Sequence, residues 1–191
     1  TLNYLDINTV VVSCGTCMDQ LQEYQFDKIF PGCRLLDIHE YLLEKGVRLK
    51  PSEEVEYLYH DPCHTPMKTQ SGVKVASQLM GSRVLLSERC CGESGTLSVA
   101  RPDISTQVRF RKLEEIEKGL SRLQQDKSQE SSSKSCAKIL TSCPSCLQGL
   151  SRFRDDTPVQ AEFMVVEMAR RLLGEDWMAA YLEKIEAGGV D

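Results

Sequence analysis

Apolar and polar positions along the chain follow two rhythms. Short runs of β-branched and aliphatic residues read as strands: TVVV at 9–12, EVEYLY at 54–59, RVLL at 83–86 and AKIL at 137–140. Between them lie longer stretches whose apolar residues recur three or four apart. Leu35, Ile38 and Leu42 mark one face of a helix that stops near Gly46, and Val73, Val75, Leu79 and Met80 belong to a helix closing at Gly81. The longest helix is expected from Asp103, as its cap, to about Gln124, with Ile104, Val108, Ile116, Leu120 and Leu123 on its buried side. A helix follows Cys146, another centres on Phe163, Val166 and Leu173 and ends at Gly174, and a last one carries Trp177, Tyr181 and Ile185. Alternation of this kind predicts an α/β fold, a parallel or mostly parallel sheet flanked by helices.

One phrase occurs twice. An apolar run leads into Ser-Cys-x-x-Cys at Cys14 and Cys17 and again at Cys143 and Cys146, at a single offset of 129, and Gly46 and Gly174 match to within one residue. Each copy reads strand, cysteine pair, helix, loop with a proline (Pro31, Pro158), helix with a central glutamate (Glu40, Glu167), glycine. The chain is therefore expected to hold the end of one unit in residues 1–50 and a complete second unit in 51–191. The serine-rich tract QQDKSQESSSKS at about 124–135 has no apolar period and reads as a mobile insertion in that second unit.

Composition narrows the chemistry. The 191 residues carry a formal charge of −5 with no Lys/Arg cluster interleaved with aromatics, which argues against a nucleic-acid partner. No apolar stretch is long enough to span a bilayer, and TLNYLDINT is no signal peptide. A cytoplasmic protein, membrane-associated only through partners, is expected. Nine cysteines are many for a reducing compartment, and an odd number leaves one thiol over from any disulfide framework, so metal or redox chemistry comes first.

Within the second unit the cysteines fall as HDPCH at Cys63, RCCGESG at Cys90 and Cys91, and SCPSC at Cys143 and Cys146, each group just after an expected strand. The carboxyl ends of parallel strands share one edge, so five thiols far apart in sequence would converge there, as a metal cluster requires. Gly92 and Gly95 let the backbone turn its N–H groups toward sulfur, and a cysteine pair opening a helix sits in the positive end of its dipole. Arg89 adds positive charge nearby. His60 and His64 flank Cys63 as ligands or as polar neighbours, Asp61 and Pro62 form the turn, Glu93 and Ser94 stand at the rim, and Cys33 and Cys136 are expected as core and surface thiols.

Cys, then Cys-Cys-Gly, then Cys-x-x-Cys resembles the cysteine-rich CCG domain found in heterodisulfide reductase, in the iron–sulfur subunits of glycolate oxidase and anaerobic glycerol-3-phosphate dehydrogenase, and in lactate-utilisation iron–sulfur proteins. YHDPCH and CCGESGTLSVARPDIS are especially like the lactate and glycolate members. SCGTCMDQLQEYQFDKIFPGCRLLDIHEYLLEKG further resembles the C-terminal region of large FAD-linked oxidases. The resemblance implies tandem CCG units, the first with three cysteines upstream of Thr1, and a [4Fe-4S]-type cluster, cubane or noncubane, on Cys63, Cys90, Cys91, Cys143 and Cys146, with Gly92 shaping its loop. It also implies an electron-transfer fragment, inactive alone, that takes electrons from a flavin on a separate domain or subunit oxidising a 2-hydroxy acid such as lactate or glycolate. The substrate and the electron acceptor are not named by any residue. The gap from Cys63 to Cys90 is short for the family and that from Gly92 to Cys143 long.

Two other readings of the same cysteines stay open. Zinc takes the same thiolates, which would make this a structural or interaction domain. A cluster that cleaves a disulfide directly would make it a thiol–disulfide reductase of the heterodisulfide reductase type. Cys14 and Cys17, without upstream partners, are expected to be a free pair, a disulfide or an adventitious metal site.

Overall fold

A computed structural model of the chain describes residues 4–52, 54–93, 95–125 and 136–189. Ser94 and residues 126–135, which hold most of the serine-rich tract, lie outside the described residues.

The first fifty residues form β1 (Thr9–Val12), α1 (Gly15–Glu23), the single turn α2 (Phe26–Ile29), β2 (Arg34–Asp37) and α3 (Ile38–Glu44). Next come β3 (Val55–His60), α4 (Gly72–Met80), β4 (Val84–Leu86), the short α5 (Leu97–Ala100) and the 24-residue α6 (Pro102–Gln125). β5 (Cys136–Thr141), α7 (Pro144–Ser151), a 3₁₀ turn (Arg152–Asp155), β6 (Val159–Phe163), α8 (Met164–Leu173) and α9 (Trp177–Glu186) complete the chain.

Every pairing among the described strands is parallel. β1 pairs with β2, and a four-stranded sheet runs in the order β4-β3-β5-β6. Side chains alternate across the sheet, so Tyr57, Tyr59 and Leu140 pack on one face with α4 and α8, while Leu58, Ala137 and Ile139 pack on the other against Ile116 and Leu123 of α6 and Leu150 of α7. Helices on both faces make this the α/β architecture expected from the alternating runs.

Two strands escape the helical reading of their residues. Leu35 lies in β2, so the helix around Ile38 and Leu42 begins only at Ile38, and Phe163 ends β6 immediately before α8. Each strand runs into its helix with no intervening turn, which lets apolar spacing continue across the junction and imitate one helix. With these strands included the repeat is closer than the sequence pattern implies. Thr9 faces Arg34 and Val12 faces Asp37, while Lys138 faces Gln160 and Thr141 faces Phe163. Offsets of 129 for the first strand and 126 for the second hold throughout, so the two βαβ units share one register.

The long helix departs from expectation in detail. It starts at Pro102, a residue suited to the first helical position because its missing N–H has no partner there anyway, and Asp103 stands in the first turn paired with Arg101. Its buried line is Ser105, Lys112, Ile116, Gly119 and Leu123, whereas Ile104 is exposed. Among the described residues no helix is long and apolar enough to cross a membrane.

Candidate metal centre

The sheet brings the cysteine groups to one edge because the chain reverses its direction of travel across the sheet. From β3 it moves outward to β4, then returns past β3 to β5, and Cys63, Cys90 and Cys143 leave the carboxyl ends of these three neighbouring strands. A crevice outside such a switch point is the usual binding place of an open parallel sheet. Cys63, Cys90, Cys91, Cys143 and Cys146 all line one cavity of about 150 Å³, together with Cys14, Gly15, Thr16, His64 and Gly95. All nine cysteines are free thiols.

The innermost pair is Cys91 and Cys146, both buried, with sulfurs 3.4 Å apart. A disulfide would need about 2.05 Å, whereas two thiolates on one tetrahedral metal with bonds of about 2.3 Å sit about 3.8 Å apart. The spacing thus suits two ligands of one centre. The pair shares a proton, which holds the Cys91 thiol down to about 4, against the cost of its burial and with help from His60, and pushes Cys146 up. Cys63 is exposed, its thiol raised by partial burial and by the neighbouring Cys90 and Cys91.

The loop that carries Cys90 and Cys91 is shaped by its backbone. Arg89 adopts φ 65° and Gly92 φ 79°, so two left-handed residues bracket the pair and fold the chain tightly around it. The Gly92 N–H donates to the Cys90 sulfur at 3.3 Å. Cys143 is the N-cap of α7, Pro144 its first residue, and Cys146 lies in the first turn where free N–H groups favour a thiolate.

Other expected site residues fall in different places. The Arg89 guanidinium donates to the Arg111 carbonyl and to Glu114 on α6. Glu93 is buried but accepts from Arg152 at 2.8 Å. His64 bonds Asp19 of α1, and Cys33 is half-buried, not a core thiol. Cys136 is exposed, as expected.

Two features are not legible in the motifs. The first is the contact of the leading copy with the cavity. Gly15 lies so close to the loop after β3 that a Cβ there would stand 1.5 Å from the His64 carbonyl oxygen, and Asp19 ties α1 down through His64 and Lys68, each at 2.6 Å. Cys14, the N-cap of α1, thereby joins the cavity wall, its thiol lowered by the Cys17 N–H, while Cys17 is exposed.

The second is Lys112, fully buried on α6. Its ammonium donates to His60 Nδ1 (3.0 Å), the Ser87 carbonyl and hydroxyl (2.9 Å each) and the Glu88 carbonyl (2.6 Å). Burial pulls Lys112 down to about 8, with Glu115 and the thiolates of Cys91, Cys146 and Cys90 pulling the other way. A ring nitrogen of His60 and the sulfurs of Cys91 and Cys146 lie within 4.8 Å of one another, all three residues buried. A lysine in register with Ser105, Ile116 and Leu123 is the available sequence signal.

Parallel α/β architecture with thiols gathered at a switch point defines a cysteine-rich metal-binding protein. Residues 57–151, which hold all five clustered cysteines, match the family model described as Cysteine-rich domain (CCG). Residues 151–191 match a second model, described as Domain of unknown function (DUF3400). An uncharacterised iron–sulfur protein of Methanocaldococcus jannaschii is 26% identical over 179 residues, covering 89% of this chain and 33% of that protein. A subunit of the fumarate reductase (CoM/CoB) of Methanothermobacter marburgensis is 26% identical over 121 residues, 58% of this chain and 24% of that subunit. A second uncharacterised iron–sulfur protein, from Methanococcus maripaludis, is 24% identical over 116 residues, 58% of this chain and 23% of its own length. The chain thus spans a third or less of these relatives. No solved structure matches it.

Proposed function

We propose that this chain is an iron–sulfur electron-transfer module, with Cys63, Cys90, Cys91, Cys143 and Cys146 as the thiolates that hold a [4Fe-4S]-type cluster. The observation that carries the reading is the convergence of these five thiols on one cavity at the carboxyl edge of the sheet. Relatives named as iron–sulfur proteins support iron over other thiophilic metals. When bound, such a cluster supplies a one-electron relay near the protein surface.

The chain's own residues would do the rest. Cys91 and Cys146 form the buried floor, and the α7 N-terminus and the Gly92 N–H offset thiolate charge. Exposed Cys63 leaves the outer side open to a redox partner. We place the module beside a flavin-bearing domain or subunit that oxidises a 2-hydroxy acid, with residues 1–50 ending one CCG unit and 51–191 forming the next. The resemblance of HDPCH and CCGESG to lactate and glycolate oxidising systems supports this assignment.

Iron and acid-labile sulfide, measured with an absorption spectrum on protein purified without oxygen, test the reading. Iron with sulfide and a visible band that bleaches on reduction is the expected result. Stoichiometric zinc without sulfide would overturn it in favour of a structural domain.

A further inference from the structure

Lys112 is a buried cation whose four acceptors are all neutral: an imidazole nitrogen, a hydroxyl and two carbonyls. An ammonium removed from water and given only dipoles as partners is costly, and it is retained where a countercharge lies close. The anionic groups that act on the ammonium are Glu115 on the same helix and the thiols of Cys91, Cys146 and Cys90, of which Cys91 and Cys146 lie beyond His60. The protonation of the ring follows from geometry. An ammonium has donors only, so His60 Nδ1 must accept its 3.0 Å bond, and the neutral ring then carries its proton on Nε2. Nε2 is buried and has no hydrogen-bond partner among the described residues, while the sulfurs of Cys91 and Cys146 lie within 4.8 Å of a ring nitrogen.

Resting on the cluster reading above, we infer that Lys112 and His60 form a positioning pair that fixes an N–H donor and a positive charge behind the Cys91 and Cys146 sulfurs and raises the reduction potential of the group they hold. The arrangement also disfavours His60 as a metal ligand, since Lys112 occupies Nδ1 and Nε2 bears the hydrogen. Position supports the pair. His60 ends β3 and projects to the same face as Leu58, toward α6, and Ser87 holds the ammonium from the next strand's exit while its own N–H donates to the Tyr59 carbonyl at 2.8 Å. Hydrogen bonds to cluster sulfurs and buried charge are the levers by which a protein sets such a potential.

Lys112→Met, of similar length but uncharged, tests the role in the protein carrying its cluster. Iron and sulfide content should stay at the wild-type level while the midpoint potential falls, by a tenfold or larger change in the oxidised-to-reduced ratio, about 59 mV for one electron. An unchanged potential with a full cluster overturns the role of Lys112 and leaves the cluster reading intact, whereas wild-type protein lacking iron and sulfide removes both. If Lys112→Met fails to fold, pulsed EPR of the reduced wild-type cluster with 15N-labelled histidine decides. A weak 15N coupling that disappears in His60→Gln and persists in His39→Gln and His64→Gln is expected. A strong coupling of the kind given by a directly bound nitrogen, or none at all, overturns the arrangement.

Discussion

A buried sulfur 3.4 Å from another has few roles open to it, and Cys91 is such a residue. Replacing it by serine removes the soft anionic ligand from the floor of the cavity, so Cys91→Ser should lose most bound iron, while Cys33→Ser, on the half-buried thiol beside β2, should keep it. Iron analysis of the two purified variants decides, and equal iron in both would refute the assignment. Gly15 makes a second residue-level case. A Cβ at 1.5 Å from the His64 carbonyl oxygen forces α1 away from the loop after β3, and overpacking of this kind costs about 1–3 kcal/mol. Gly15→Ala should therefore lower the urea midpoint, and an unchanged midpoint would mean that α1 does not dock there. The cysteines themselves are legible in the sequence, because their spacing is a motif. Lys112 and His60 cannot be paired from sequence because they stand on separate elements and meet only through packing of α6 on β3, and a lysine in a helix is usually solvated.

At the scale of elements, α3 and α8 each bury a glutamate in corresponding places and satisfy it differently. Glu40 accepts from the Thr69 N–H and hydroxyl and the Gln70 N–H, whereas Glu167 accepts from Tyr57, Lys138 and Arg170. Burial opposes ionisation of Glu167, but Lys138, Tyr57 and Arg170 outweigh it and hold the carboxyl below its ordinary value. Because the folded state depresses this group, its contribution is complete above the unfolded value of 4.5 and is lost as pH falls through the lower folded one. Glu167→Gln should destabilise by about 1–3 kcal/mol near neutral pH. The difference from wild type should shrink on acidification below 4.5, and denaturant curves at two pH values measure both effects. A constant difference would show that the charge of Glu167 does not carry the effect. These same helices explain which elements the sequence hides. RLLD and VQAEF are strands of four and five residues that pass directly into α3 and α8, so Leu35 and Ile38 share a helical spacing without sharing a helix. Tertiary pairing with β1 and β5, which no local pattern encodes, makes them strands.

At the scale of the molecule, two copies of one βαβ unit meet at one cavity. The identical register of β1–β2 and β5–β6, with Cys14 and Cys143 as N-caps of nearly equal backbone angles (φ −124° and −128°), says that the leading copy is built to present thiols as the second does. Only the second copy is preceded in this chain by further cysteine groups on neighbouring strands. If residues 1–50 end a CCG unit of a longer protein, Cys14 and Cys17 would be ligands of a second centre, beside the Gly15 contact. In that longer protein Cys17→Ser should remove about half of the iron and sulfide, by the loss of one soft thiolate ligand from one of two centres, and leave the redox signal of the Cys91 centre in place. In the 191-residue chain the same change should leave iron content unaltered, because Cys17, unlike Cys63, lies outside the shared cavity wall. Loss of iron from the short chain would instead make α1 part of the second unit's own ligand set, and the two Ser-Cys-x-x-Cys copies would then serve one centre.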